Sequence, residues 1–350
     1  MSKELFTALT PGKLMGLRQI TDEKGRFKVL AMDQSNSFKK ALRAMHEKAS
    51  APAEPSYEEV RDCKVEMTAE LAQHASALLL DVNFGLRQAL NAMAFPKNVG
   101  LIARVEASKN AGSPGEYEPG WGVEKIKRMG ASAVKLLVFL DTEDKESTKS
   151  QIEFVKKVSK ACREQDILLM TEELSYPRDG ETKQSESYVK RLFKNIFEAT
   201  KLIGPHTDIL KLEFPGTVGV DSDAQIEDNL GKLDAAAIRP WVILSAGVDF
   251  DVFEGQVEKA LKAGCNGYMA GRAIFKEYFE GTDDKAHQAF LKSAATDRMK
   301  TLNAMVDKHA KSWMERYGIS PKDMAAAVSE TWYLDKDQAP VRQAETTGAY

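Results

Sequence analysis

The sequence predicts an α/β fold of the (β/α)8 TIM-barrel class, and three observations point to it. Short runs rich in Val, Ile and Leu alternate with amphipathic stretches of helical length through most of the chain. There are about eight such runs, the number that closes a barrel. No Gly-x-Gly-x-x-Gly turn follows the first run, where an open doubly wound sheet, the other architecture that fits this alternation, would carry its phosphate loop.

The expected strands, in order, are 28–33, 77–82, 99–106, 133–140, 167–172, 208–214, 241–246 and 267–270. Each is a brief apolar run of strand length. Helical segments are expected over 57–74, 123–129, 149–164, 186–202, 223–236 and 251–263. Gly130 and Gly264 follow two of these, as residues that stop a helix. Stretches 48–58 and 108–120, with their Pro, Gly and small polar residues, read as loops rather than domain linkers. Residues 283–317 are strongly helical. The expected organisation is one barrel over 1–320, with a helical lead-in and closing helices, followed by an extension over 321–350 whose last residues, 344–350, form a loose tail.

A chain of 350 residues suits one barrel with insertions. Its net charge of −3, with both signs spread throughout, offers no basic field for nucleic acid. Cys63, Cys162 and Cys265 are too scattered for a metal site or redox pair. The N-terminus lacks an export signal, and no apolar run is long enough to span a bilayer. A cytoplasmic protein, forming a homo-oligomer and acting on a small molecule, is expected.

Lys135 and Lys211 each sit inside a run that reads as a buried strand. A buried ammonium loses its hydration and must pair or give up its proton. A lysine so placed can be a nucleophile toward carbonyls, and a neighbouring cation favours the neutral amine. Other charges fall at strand ends: Asp33, Asp81, Glu106, Glu172 and Glu213. In a barrel these ends form the active face. Alternation puts Lys211 and Glu213 on one face of their strand, and Met170 and Glu172 on one face of theirs. Lys211 reads either as an interior lysine held by a salt bridge or as a Schiff-base lysine, and spacing alone allows Lys135 to exchange roles with it. Glu172 reads as a balancing carboxylate or as a proton shuttle. Asp33 reads as a site carboxylate, or as part of a turn in which Gln34, Ser35 and Asn36 cap the next helix. His46, His74, His206, His287 and His309 do not fall at strand ends, which argues against a histidine-held metal; no metal or cofactor is expected.

The seventh and eighth strands close on Ser245-Ala246-Gly247 and Ala270-Gly271-Arg272. Loops after these strands form the usual phosphate site of this architecture. Small residues let phosphate approach backbone N–H groups, and an arginine offers paired donors. Tight turns beside a surface arginine would have the same sequence.

These residues together resemble the class I tagatose 1,6-bisphosphate aldolases of the DeoC/LacD type, a group that includes sulfofructose-phosphate aldolases. The resemblance runs from about Leu14 to Tyr317. It is carried by Ala31-Met32-Asp33-Gln34, 121–127, Ala133-Val134-Lys135-Leu136-Leu137, 208–215, 244–248 and Ala270-Gly271-Arg272-Ala273. The resemblance implies metal-independent cleavage of a ketose phosphate to dihydroxyacetone phosphate and a three-carbon aldehyde. It further implies Lys211 as the Schiff-base lysine, Lys135 as its charged neighbour, Glu172 as acid and base, Asp33 at the first strand, and phosphate contacts at Ser245, Gly247 and Arg272. Gln34, Arg87, Glu213 and Gly271 join the expected substrate-binding residues. Two features depart from the pattern. The usual Asp-Gln-Arg reads Asp33-Gln34-Ser35, and Arg87 resembles a position of the sulfosugar branch, leaving phosphate or sulfonate as the distal group. A sugar-phosphate-binding regulator on the same barrel is the alternative from another functional class.

Overall fold

In the computed structural model, which describes residues 9–50, 54–281, 283–326 and 328–334, eight parallel strands close in sequence order. They are β1 (Phe27–Met32), β2 (Ala77–Leu80), β3 (Gly100–Arg104), β4 (Ala133–Phe139), β5 (Leu168–Leu174), β6 (Ile209–Leu212), β7 (Trp241–Leu244) and β8 (Gly267–Ala270). β8 pairs with β1, so no edge is left open. The tail expected at 344–350 lies outside the described residues.

The period-two alternation of the strands sorts their side chains into two separate cores. Val29, Ala31, Ala77, Leu79, Ile102, Ala133, Leu168, Met170, Ile209, Val242 and Met269 pack together inside the barrel. Their sequence neighbours, among them Leu30, Leu78, Val134, Leu169, Leu210 and Ile243, pack outward against the helices. Truncating one of the larger fully buried side chains, Leu79→Ala for instance, should cost about 2–5 kcal/mol.

Helix Pro11–Ile20 lies across the N-terminal end of the barrel, with Leu17 and Ile20 in the same interior cluster as Phe27, Trp313 and Tyr317. The approach is close: a Cβ on Gly100 would lie 2.3 Å from the Gln19 carbonyl oxygen. With that end plugged, substrate access is left to the C-terminal end. A wider groove of about 970 Å³ opens at the plugged end, along Arg18, Gly100 and Trp313. The inward charged side chains of the strands do not line it.

The helices begin where their caps dictate. Asp144 accepts from the Ser147 N–H and starts helix Lys145–Glu164 four residues before the expected position. Helix Tyr57–Leu71 gives way to a 3₁₀ turn over Ala72–His74, so the span expected over 57–74 is two elements. Gly130 and Gly264 follow their helices at φ +84 and +124, in the left-handed region that glycine tolerates.

Candidate active site

Moving one step along each strand above the apolar interior layer, the alternation delivers charge. Above Ala31, Ile102, Ala133, Met170 and Ile209 stand Asp33, Arg104, Lys135, Glu172 and Lys211, with Glu106 beyond Arg104. All six line one cavity of about 290 Å³ at the C-terminal end of the barrel. Pairing sets this layer, since Arg104 is in register with Lys135, and Glu172 with Lys211.

Lys135, 1% exposed, is the hub. Its Nζ lies 2.8 Å from Asp33 Oδ2, 2.9 Å from Glu106 Oε1 and 2.8 Å from Glu172 Oε2. An ammonium has three N–H donors, and three carboxylates engage them. Lys211 Nζ lies 2.9 Å from the same Glu172 Oε2, so one carboxylate oxygen bridges both amines. The two lysines are therefore no longer equivalent: Lys135 is fully committed to carboxylates, while Glu172 is the single ion-pair partner of Lys211 among the described residues.

Burial alone would lower the pKa of Lys135, but Asp33, Glu106 and Glu172 outweigh it and hold the ammonium charged well beyond its ordinary range. Burial would likewise raise Asp33 and Glu172. For Asp33 the charges of Lys135, Lys211 and Arg104 reverse this, and for Glu172 those of Lys135 and Lys211 do so, leaving both carboxyls below their usual values. At Glu106 burial prevails over Lys135 and Arg104, and its pKa is raised.

Arg104 is the residue that strand reading missed. Its guanidinium donates to the Asp33 carbonyl oxygen at 2.7 Å, to Ser35 Oγ at 3.1 Å and to Asn83 Oδ1 at 3.0 Å. The Asp33–Ser35 turn, short of the usual arginine in its own sequence, thus receives one from β3. The signal was present in the Ile102, Arg104, Glu106 alternation. Trp121 Nε1 caps the Arg104 carbonyl at 2.9 Å, and the backbone bridge from Glu106 to Tyr117 folds the loop after β3 over the cavity mouth.

The expected phosphate loops come together. A Cβ on Gly247 would lie 2.8 Å from Arg272 Cζ, and one on Gly271 would lie 2.3 Å from the Ala31 carbonyl oxygen and 2.8 Å from Gln34 Nε2. Gly247 also holds φ +83. Gln34 and Arg272 line the cavity, with Gly247 against the guanidinium, and Ser245 is buried at the end of β7. The helix after β8, Arg272–Phe275, is a single turn.

Three of the expected positions lie outside this cavity. Glu213, the first residue after β6, is not paired with Lys211 and does not line the cavity. Its carboxylate instead accepts from the Ser175 N–H at 2.6 Å and lies 3.7 Å from Lys183 Nζ. Asp81, just past the end of β2, is buried outside the cavity, paired with the fully buried Lys64 and accepting from the Phe84 N–H at 2.8 Å. Arg87 is exposed on helix Leu86–Asn91 and does not line the cavity. Among the described residues no group of three His, Cys, Asp or Glu side chains is placed to hold a metal ion.

Comparison with known sequences settles the family. The sequence model of the DeoC/LacD family aldolases matches residues 27–277, the whole barrel. This chain belongs to the DeoC/LacD aldolase family. Relatives include tagatose 1,6-diphosphate aldolase 2 of Streptococcus agalactiae, 29% identical over 332 residues that cover 88% of this chain and 99% of the relative. The tagatose 1,6-diphosphate aldolase of Lactococcus lactis is 27% identical over 331 residues, covering 88% and 99%. Among solved structures, an archaeal fructose 1,6-bisphosphate aldolase superposes with a TM-score of 0.51 at 17% identity, covering 82% of this chain and 99% of that one. A fructose-bisphosphate aldolase from Slackia heliotrinireducens gives 0.55 at 15% identity, covering 85% and 90%. At such identities the structures bear on the barrel alone. The chain is an aldolase.

Proposed function

We propose that this aldolase works through a Schiff base on Lys211 and cleaves a phosphorylated ketohexose, tagatose 1,6-bisphosphate or a related ketose phosphate, to dihydroxyacetone phosphate and a three-carbon aldehyde. The observation that carries the reading is the single Glu172 oxygen shared by two buried amines, of which only Lys211 is not already held by three carboxylates. Glu172 is in place to take a proton from the Lys211 amine, freeing the lone pair that attacks the C2 ketone. The same carboxyl then returns a proton as the carbinolamine loses water. The iminium draws in the C3–C4 bonding pair on cleavage, giving an enamine; protonation at C3 restores the iminium, and addition of water at C2 releases the ketone phosphate and the Lys211 amine. Lys135 keeps Asp33 and Glu172 ionised and fixed in position. Arg272, Gly247 and Gly271, with Ser245 and Gln34 beside them, supply the phosphate end.

A regulator that merely binds sugar phosphate would need the anion loops but not a buried cluster of two amines and three carboxylates. Borohydride with dihydroxyacetone phosphate should inactivate the enzyme irreversibly, and Lys211→Met should escape modification. Tight binding of the ketone phosphate with no inactivation would favour the regulator. Assay of tagatose, fructose and sulfofructose phosphates by coupled reduction of the triose product decides the distal group, for which the Ser35 and Arg104 arrangement is the local variable. The same reading carries a cytoplasmic homo-oligomer, the subunit number to be measured by light scattering.

A further inference from the structure

We infer that Glu106 is a second catalytic acid–base, acting on the C4 oxygen of the ketose while Glu172 serves the Lys211 amine. The inference rests on the Schiff-base reading above and assigns a step which that reading leaves without its own group.

Glu106 lies just beyond β3 and is 5% exposed. Its Oε1 accepts from Lys135 at 2.9 Å, whereas Oε2, fully covered, has no hydrogen-bond partner among the described residues. A buried carboxyl oxygen left unpaired is costly unless a ligand or a proton satisfies it. Glu106 lines the same cavity as Lys211, on the β1–β4 side of the barrel. The charged groups around it are Lys135 on β4, Arg104 on its own strand, Asp33 after β1, and the Lys109–Glu116 pair of the loop that folds over the mouth. One ammonium serves three carboxylates here, and like charges this close do not all ionise together. Asp33 and Glu172 face Lys211 as well as Lys135, Glu106 faces Lys135 and Arg104, and of the three it is Glu106 whose pKa is raised, by burial.

The chemistry then divides. In cleavage, ionised Glu106 takes the proton from the C4 hydroxyl as the C3–C4 bond breaks. The bonding pair moves into the C2–C3 double bond of the enamine, the C4 oxygen becomes the aldehyde carbonyl, and the iminium charge on Lys211 is discharged. In addition, protonated Glu106 delivers that proton to the aldehyde oxygen as the bond forms. A carboxyl whose pKa is moved up toward the working pH is suited to both directions.

Glu106→Gln tests this by splitting the reaction. Borohydride trapping with dihydroxyacetone phosphate and exchange of its C3 hydrogen with deuterated water use Lys211 and Glu172 but no C4 oxygen. In the variant both should stay within about threefold of wild type, while ketose bisphosphate cleavage falls by about 10²–10³-fold. The limb of the cleavage pH profile belonging to Glu106 should disappear, whereas the pH dependence of exchange stays. Cleavage within threefold of wild type would overturn the proposal. So would a parallel fall of trapping, exchange and cleavage, which would make Glu106 only a prop for Lys135. If Glu106→Gln does not fold, Glu106→Asp is read the same way, with cleavage falling more than exchange as the expected result. Absence of trapping in the wild type would strike the Schiff-base reading itself, a result distinct from either outcome in the variant.

Discussion

Replacing Lys135 with methionine removes one buried cation and leaves its three carboxylates in place. The distances of 2.8, 2.9 and 2.8 Å to Asp33, Glu106 and Glu172 mean that each loses a direct charge-assisted partner. Glu172 keeps Lys211 at 2.9 Å, and Asp33 keeps the field of Lys211 and Arg104. Breaking a buried pair by removing one partner costs about 3–5 kcal/mol, and the remaining cations keep the loss at neutral pH within that range rather than multiplied by three. The loss should depend on pH. In the wild type the carboxyls of Asp33 and Glu172 have folded pKa values below their unfolded ones, so the stability they contribute is present above about pH 4–5 and fades as pH falls through the folded values. Without Lys135 they should be pushed upward by burial and mutual repulsion, a penalty present at neutral pH and relieved on protonation. The difference between variant and wild type should therefore be largest near pH 7.5 and shrink toward pH 4.5. Urea unfolding of both proteins at the two pH values measures it. A loss below about 1 kcal/mol at pH 7.5, or a loss that does not change with pH, would refute the reasoning.

Glu172→Gln should lower cleavage by about 10²–10⁴-fold and slow borohydride trapping as well, because the amine and the iminium both lose their proton carrier; stopped assays of the two rates check it. Gly247→Ala places a methyl group 2.8 Å from Arg272 Cζ at φ +83, so KM for phosphorylated substrates should rise, with a stability cost of about 1–2 kcal/mol from the left-handed backbone. Arg104→Met removes three donated hydrogen bonds around the Asp33–Ser35 turn and should destabilise the fold by about 2–4 kcal/mol, read from urea unfolding. Arg87→Ala, at an exposed position away from the cavity, should leave kcat and KM for every sugar phosphate within about twofold in the same coupled assay.

Much of the site was legible because strand alternation governs the barrel interior. Once 133–140 and 208–214 were read as strands, Lys135 and Lys211 had to face a neighbour. The same rule misled where a loop or helix partner claims the side chain. Asp33 and Glu106 keep the inward phase past the ends of β1 and β3, whereas Glu213 is taken by the Ser175 N–H and Asp81 by Lys64 and the Phe84 N–H, so these two carboxylates lie outside the cavity. Arg104 was passed over because an arginine within an apolar run shows its role only once the inward phase of β3 and its register with Lys135 are known. Which lysine is the freer amine was beyond spacing altogether. It depends on how many carboxylates from other strands converge on each nitrogen, and that is a property of closure.

The most direct test of the account is peptide mapping after borohydride treatment of the wild-type enzyme with dihydroxyacetone phosphate. The account predicts one covalent adduct, on the peptide carrying Lys211, with Lys135 unmodified. An adduct on Lys135, or full aldol cleavage by a protein that forms no adduct at all, would contradict it.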